Sequence, residues 1–275
     1  MANQCRILSI GNVYAAPLSG QASNWDDGGK NALNFTRDGF SRSVNSTYKQ
    51  YGLDYDARLT SGLINYAPSW AGLVIQNYEQ NFTPANVTIY SDDEPTFVSP
   101  VTNHGSINMV DALGTGFLIK YLGGSTKRYW LFEFNSIAAF VNVAMAMVGY
   151  YWEIKARWDY GSPLGLGFAN RRIITPNADD VVVNVRDNPY IIHVRRFELM
   201  TDADKGALED AFKWARGSAY PFFILDTLAV PGLMANYKMF KFTDDELIFE
   251  EADFGLWNCD VSLREVPFIL ANSAF

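Results

Sequence analysis

Two histidines, His104 and His193, and two cysteines, Cys5 and Cys259, stand in a chain of 275 residues. A nucleophile, metal or phosphate site needs such residue types at fixed spacing, and the spacing here is unpromising. His193 lies inside YIIHVRR, an alternating β segment, and reads as a hydrogen-bonded, partly buried strand residue. His104 lies in NHGS, a turn signal, with no Ser or Cys in a nucleophile motif to work with. The chain has no GxSxG, HExxH, Walker loop or CxxC pair. Gly114-Thr115-Gly116 leads into a β segment rather than a helix, so it predicts no phosphate cradle. Cys5 and Cys259 are too few for a disulfide framework and are expected to be free, buried thiols.

Carboxylates are the other resource. They cluster at Asp26-Asp27, Asp54/Asp56, Asp92-Asp93-Glu94, Asp179-Asp180 and Asp244-Asp245-Glu246. A hard cation wants several carboxylates converging from one loop. None of these clusters has the spaced Asp/Asn pattern with a closing Glu, so turn chemistry is the expected role. Nothing in their spacing selects a pair for glycoside hydrolysis. The dense aromatics Trp25, Tyr48, Tyr51, Tyr55, Tyr66, Trp70 and Tyr78 read as core or subunit contact. Under an alternative reading as a carbohydrate-binding module, Trp25, Trp70 and Trp130 would be the platforms for a glycan. The residues alone therefore predict a binding or structural protein, with no catalytic residue, metal or cofactor.

The elements that must position these groups are mostly strands. CRILSIGNVYA (5–15), SGLINYA (61–67), WAGLVIQNYE (70–79), ANVTIYSD (85–92), TGFLIKYL (115–122), KRYWLFEFN (127–135) and NVAMAMVGYYWEIKARW (142–158) are short apolar or alternating runs. Turn clusters such as NWDDGGKN, SDDEP and LGGS divide them. Even spacing without alternating helices predicts an antiparallel sandwich over 1–158. The Gly-rich stretch DYGSPLGLGFANR (159–171) reads as a loop and a domain boundary. Beyond it RRIITP, DDVVVNVRD, YIIHVRRFELM, YPFFILD, YKMFKFTDD, ELIFEEA and WNCDVSLREV predict a second sandwich or barrel over 159–275. One helix, 202–216, interrupts it. Thr201 is its N-cap, Asp202 and Asp204 favour the first turn, and Gly217 ends it. Ala207, Leu208, Ala211, Phe212 and Ala215 make its apolar stripe, with Leu208 and Phe212 packing inward.

Hydrophobic residues make up 48% and charged residues 19%, enough to bury a large core and leave a surface of Asn, Ser, Thr, Gly and Tyr. A net charge of −8 opposes wrapping nucleic acid by phosphate neutralisation. The start, MANQCRILSIGNV, has one Arg and no apolar core of signal-peptide length, so no secretion signal is expected. SIAAFVNVAMAMVGYYW is broken by Asn142 and falls short of the roughly 20 residues a spanning helix needs, so no membrane insertion is expected. The four Asn-x-Thr/Ser tripeptides are expected to be chance.

Two sets of motifs carry a resemblance. NALNFTRDGFSRSVNS with LVIQNYEQNFTPANVTIYSDD, RYWLFEF and VGYYWEI is similar to discoidin-like jelly-roll domains on the tail tips of long-tailed bacteriophages. RRFELMTDADKGALEDAFKWARGSAYPFFILD with LWNCDVSLREV resembles the C-terminal domain of phage minor and distal tail proteins. The chain closes on Leu263-Arg264-Glu265-Val266, the Leu-x-Glu-Val ending of that pattern. The resemblance implies an N-terminal jelly roll and a C-terminal tail-tube-like sandwich with one helix. It also implies a distal tail protein in the virion, forming a ring, a hexamer by resemblance, between the tail tube protein and the baseplate hub. Such a ring would line the DNA channel without reading DNA sequence. Asp179, Asp180, Asp244, Asp245 and Glu246 would be the candidates to face its lumen, where negative charge repels phosphate.

Overall fold

The computed structural model describes residues 5–10, 15–17, 25, 41–42, 50–55, 67–75, 87–98, 101–107, 117–135, 142–156, 164–167, 170–174, 180–184, 190–226 and 237–266. The expected strand 61–67 lies outside them except for Ala67, as do Tyr48, Tyr66, Tyr78 and Asp179. The first strands are β1 (Cys5–Ser9), β2 (Ala15–Pro17), β3 (Ser41–Arg42), β4 (Gln50–Tyr55), β5 (Trp70–Ile75) and β6 (Val87–Asp92). Next come β7 (Thr102–Ile107), β8 (Phe117–Tyr121), β9 (Tyr129–Phe134), β10 (Asn142–Gly149) and β11 (Tyr151–Ile154). Then follow β12 (Leu164–Gly167), β13 (Asn170–Ile174), β14 (Asp180–Asn184), β15 (Tyr190–Thr201) and the helix α1 (Asp202–Ala215). The last are β16 (Phe222–Asp226), β17 (Tyr237–Phe242), β18 (Glu250–Asp253) and β19 (Leu256–Glu265). The fold is all-β with one helix among the described residues, and that helix is too short and polar to cross a membrane.

The chain forms two compact units. One is built from Glu153–Ile224 and Lys238–Pro267 with Met1–Cys5, the other principally from Arg6–Trp152. In the second unit two sheets, ordered β3-β10-β5-β8 and β2-β4-β9-β6-β7, share one core. Leu53, Ile89, Trp130 and Phe132 enter it from one sheet, and Leu73, Val143, Ala146 and Val148 from the other. The pairings β5–β10, β5–β8, β4–β9 and β6–β9 are all antiparallel, as in a β-sandwich. The long run 142–158 is two strands, because Tyr150 breaks it. The Tyr150 carbonyl accepts the Ser9 N–H at 2.8 Å and the Ser9 hydroxyl at 2.9 Å. The Tyr150 N–H donates in turn to Ser9 Oγ at 2.8 Å.

In the first unit β16, β17, β19, β15 and β12 lie side by side, β18 pairs β19, and β13–β14 form a separate ribbon. The Gly-rich stretch expected to be a loop contains β12, which pairs with Tyr190–His193 of β15. Along β19 burial alternates: Cys259, Val261 and Leu263 face in, Asp260 and Arg264 face out. β15 alternates likewise until a bulge. There Phe197 pairs with Cys259 but Met200 pairs with Trp257, so Glu198 and Leu199 together oppose Asn258. Leu199 takes φ +52, and its N–H donates to Asn258 Oδ1 at 3.0 Å. The extra residue returns Met200 to the core and delivers Thr201 to the start of α1.

Thr201 closes a capping box with Asp204. The Asp204 N–H donates to Thr201 Oγ1 at 3.2 Å, and Asp204 Oδ2 accepts the Thr201 N–H at 3.3 Å. The Thr201 hydroxyl donates to the same oxygen at 2.8 Å. The helix ends one residue earlier than the glycine signal implied, with Arg216 at φ 51 as the left-handed cap and Gly217 at φ +61 after it. Its buried face is Asp204, Leu208, Ala211, Trp214 and Ala215, a stripe turned from the expected one. Leu208 is inside, worth about 1.5–3 kcal/mol of burial. Phe212, expected inward, is only half-buried at the margin, where its ring meets Phe242 edge-on at 5.0 Å.

Candidate functional site

His104 is not in a turn. It is the bulged residue of β7: Ile89 pairs with Gly105 and Tyr90 with Asn103, leaving His104 between them. Gly105 supplies the φ of +80 that this kink requires. The imidazole stacks on the Trp130 indole, centroids 5.1 Å apart and planes 17° from parallel. Its Nε2 lies 2.7 Å from Ser91 Oγ, which is also 3.2 Å from Ser125 Oγ. A serine hydroxyl at that distance from an imidazole has the spacing of a nucleophile and its base. Two facts disqualify it. Ser91 is wholly buried, so no acyl group can reach it. The charge acting on His104 is Lys120, the wrong sign for a group that would orient and stabilise an imidazolium. Burial first, and Lys120 second, push the His104 pKa down. The cluster is a packing network at a sheet edge.

The three indoles proposed as sugar platforms are corrected by their burial: Trp25 is 4% exposed, Trp70 and Trp130 0%. Trp70 Nε1 donates to the Ser9 carbonyl at 3.1 Å, and Trp130 Nε1 to the Lys127 carbonyl at 3.1 Å. Alternation in β9 aims the Trp130 ring into the sandwich core with Phe132. Trp70, out of step with Ala71 and Leu73 of that core, is buried against the Ser9 carbonyl, so neither ring offers a face to a glycan.

The acidic clusters divide by place. Asp92 Oδ1 accepts the Asp93 N–H at 2.7 Å, Asp93 pairs with Lys127, and Asp54 takes a bidentate bond from Arg128 at 2.6 and 2.8 Å. These are turn and cross-strand roles. Asp180 opens β14. Asp244, Asp245 and Glu246 come together with Glu198, Glu250 and Asp260 around an open groove of about 920 Å³ on the first unit. Arg196 is the cation in its lining, and it faces Asp260 across the β15–β19 ladder in a bidentate pair at 2.8 and 3.0 Å. Asp245 is pinned: its Oδ1 accepts the Ser218 hydroxyl at 2.7 Å and the Ser218 N–H at 3.1 Å. Those two bonds hold its carboxyl below the usual range. Gly217 leaves room for it, since a Cβ there would stand 2.9 Å from Asp245 Oδ1.

Among the described residues no three His, Cys, Asp or Glu side chains converge as a metal site. Cys5 and Cys259 are buried and neither is in a disulfide. Burial, then Asp260, pushes the Cys259 thiol up to about 12, so it carries no thiolate at neutral pH. His193 pairs in register with Leu263, in the strand where the sequence placed it. Sequence reasoning missed the convergence of Glu198 and Asp260 with the 244–246 cluster, because the groove forms only when β15 and β19 are side by side. The chain matches no family model and no curated protein.

Proposed function

We propose that the chain is a non-enzymatic structural subunit of a bacteriophage tail tip, the distal tail protein. It would form a ring that joins the tail tube to the baseplate hub and lines the DNA channel. The observation that carries this reading is the arrangement around α1. A long strand, β15, runs through one cap residue into a helix that covers the sheet, and β19 closes the chain back onto β15. That is the element order implied by the resemblance of 195–266 to the C-terminal domain of phage tail proteins. In it the buried carboxylate of Asp204 caps the helix rather than facing a cleft. The sandwich of the second unit takes the place of the jelly-roll attachment platform.

The acidic groove supports the same reading. Its carboxylates would repel a passing phosphate backbone, which is what a conduit needs and what a nucleic-acid reader cannot tolerate. Asp244, Asp245 and Glu246 are the candidates for the lumen side. Light scattering of the purified chain across a wide concentration range, followed by electron microscopy, tests the proposal. A closed ring with a central hole is expected. A single subunit's mass at every concentration, with no ring on the grid, would overturn it.

A further inference from the structure

We propose that the outer edge of β18 is a docking strand for an extended basic segment of a partner protein, with Phe254 as its anchor. This does not rest on the ring reading, because the partner is a different chain from the copies that would close a ring.

All four side chains of β18, Glu250, Glu251, Ala252 and Asp253, are exposed. One edge of the strand pairs β19, with Glu250 opposite Asn258 and Asp253 opposite Leu256. Among the described residues no strand pairs the other edge. A strand that buries nothing adds little to its own fold, and a bare hairpin is marginal in water. This hairpin is nevertheless held firmly at its root. Trp257, opposite Glu251, donates its Nε1–H to Asp202 at 2.8 Å, and Lys205 Nζ lies 3.5 Å above its ring. The tip is a two-residue turn, Phe254-Gly255, with Gly255 at φ +70 and the Phe254 N–H donated to Asp253 Oδ1 at 2.7 Å. A fixed root and a tight turn thus present a phenyl ring that is 97% exposed. Preorganisation of this kind lowers the ordering cost of binding.

Charge selects the occupant. A second copy adding its own β18 would set carboxylates against carboxylates across the new pair, which is destabilising. Charged side chains do guard an edge against self-pairing, but a bare phenyl ring has no part in that protection. An added strand with Lys or Arg on one face meets either Glu250 or its neighbour Glu251, which faces the other way, with the opposite sign. The main-chain bonds of strand addition supply affinity, and the alternating side chains supply selection.

The test uses the full chain and a fluorescein-labelled octapeptide of alternating Lys and Val, read by fluorescence anisotropy. The same peptide with every backbone amide N-methylated has no main-chain donor on either edge and cannot add as a strand. Phe254→Ala, and Glu250→Lys with Glu251→Lys, change exposed side chains only, and circular dichroism checks that both variants fold. Binding is expected for the unmethylated peptide alone, weakened about tenfold or more in each variant and reduced by salt. Equal binding of the methylated peptide, or equal binding by both variants, would mean diffuse charge attraction and would overturn the proposal. A dimer of the chain that Phe254→Ala dissolves would overturn it too, by making a second copy the occupant.

Discussion

Adding one methyl group at Gly149 and at Gly206 should move stability in opposite directions. At Gly149 a Cβ would fall inside the Ser9 carbonyl oxygen, 2.7 Å from Trp70 Nε1 and 2.9 Å from Ser9 Oγ. None of these can step aside. The Ser9 carbonyl already accepts from the Trp70 indole at 3.1 Å, and Ser9 Oγ accepts the Tyr150 N–H at 2.8 Å. Overpacking a rigid interior costs about 1–3 kcal/mol. Breaking the indole bond leaves a buried donor worth about 1–3 kcal/mol more. Gly149→Ala should therefore lose about 3–5 kcal/mol, a large share of the roughly 5–15 kcal/mol that holds a domain. At Gly206, inside α1, a Cβ meets nothing within 4 Å. Gly206→Ala should gain about 0.5–1 kcal/mol from reduced backbone entropy in the unfolded chain. Urea denaturation followed by tryptophan fluorescence, with the slope unchanged, reads both. A Gly149→Ala midpoint near the parent's, or a Gly206→Ala protein less stable than the parent, would refute this reasoning.

Three further outcomes follow from the same geometry. Asp204 Oδ1 accepts the Lys155 N–H at 2.7 Å while its other oxygen serves Thr201. Asp204→Ala should then cost about 2–3 kcal/mol, and thermal unfolding should fall by about 5–10 °C. Gly217→Ala meets both a left-handed backbone, φ +61, and Asp245. It should lose about 1–2 kcal/mol, more than Gly255→Ala, where φ is +70 but the space is open. His104 has a folded pKa below its ordinary 6.5, so the unfolded chain takes up the proton more readily. Its contribution is complete above pH 6.5 and is lost as the pH falls through the folded value. Urea titrations from pH 7.5 downward should show this loss, and His104→Gln should flatten it.

Local chemistry was the legible part. Thr201, Asp202, Asp204 and Gly217 announce α1 because a cap is decided within four residues. β15 and β19 show their alternation because one face of each is buried. What failed has a common cause in contacts distant along the chain. TNHGSI carries no apolar alternation, yet it is β7, an edge strand whose Thr102, Asn103 and Ser106 face solvent. QYGLDY hides β4 behind a Gly and an Asp, although it lies between β2 and β9 and buries Tyr51 and Leu53. LGLG reads as a loop until β15 supplies a partner. The direction of Trp25, Trp70 and Trp130 depends on which sheet faces which, and no local pattern encodes that. Phe212 sits at helical spacing with Leu208, but Trp214 takes the inner place.

Eight residue pairs join β15 to β19 in one antiparallel ladder, from Ile192–Arg264 to Thr201–Leu256. Its bonds run across the strands, so the ladder is mechanically anisotropic. A load along the strands is shared by all the rungs at once, and a load across them opens one rung at a time. Because β15 passes through Thr201 straight into α1, a pull on the helix arrives along the strand, in the stiff direction. Force spectroscopy would measure the contrast. Tethers at Tyr190 and Leu256 load the ladder in shear, and tethers at Thr201 and Leu256 unzip it. The first pair should rupture at the higher force, and equal forces would mean that the load travels by another route.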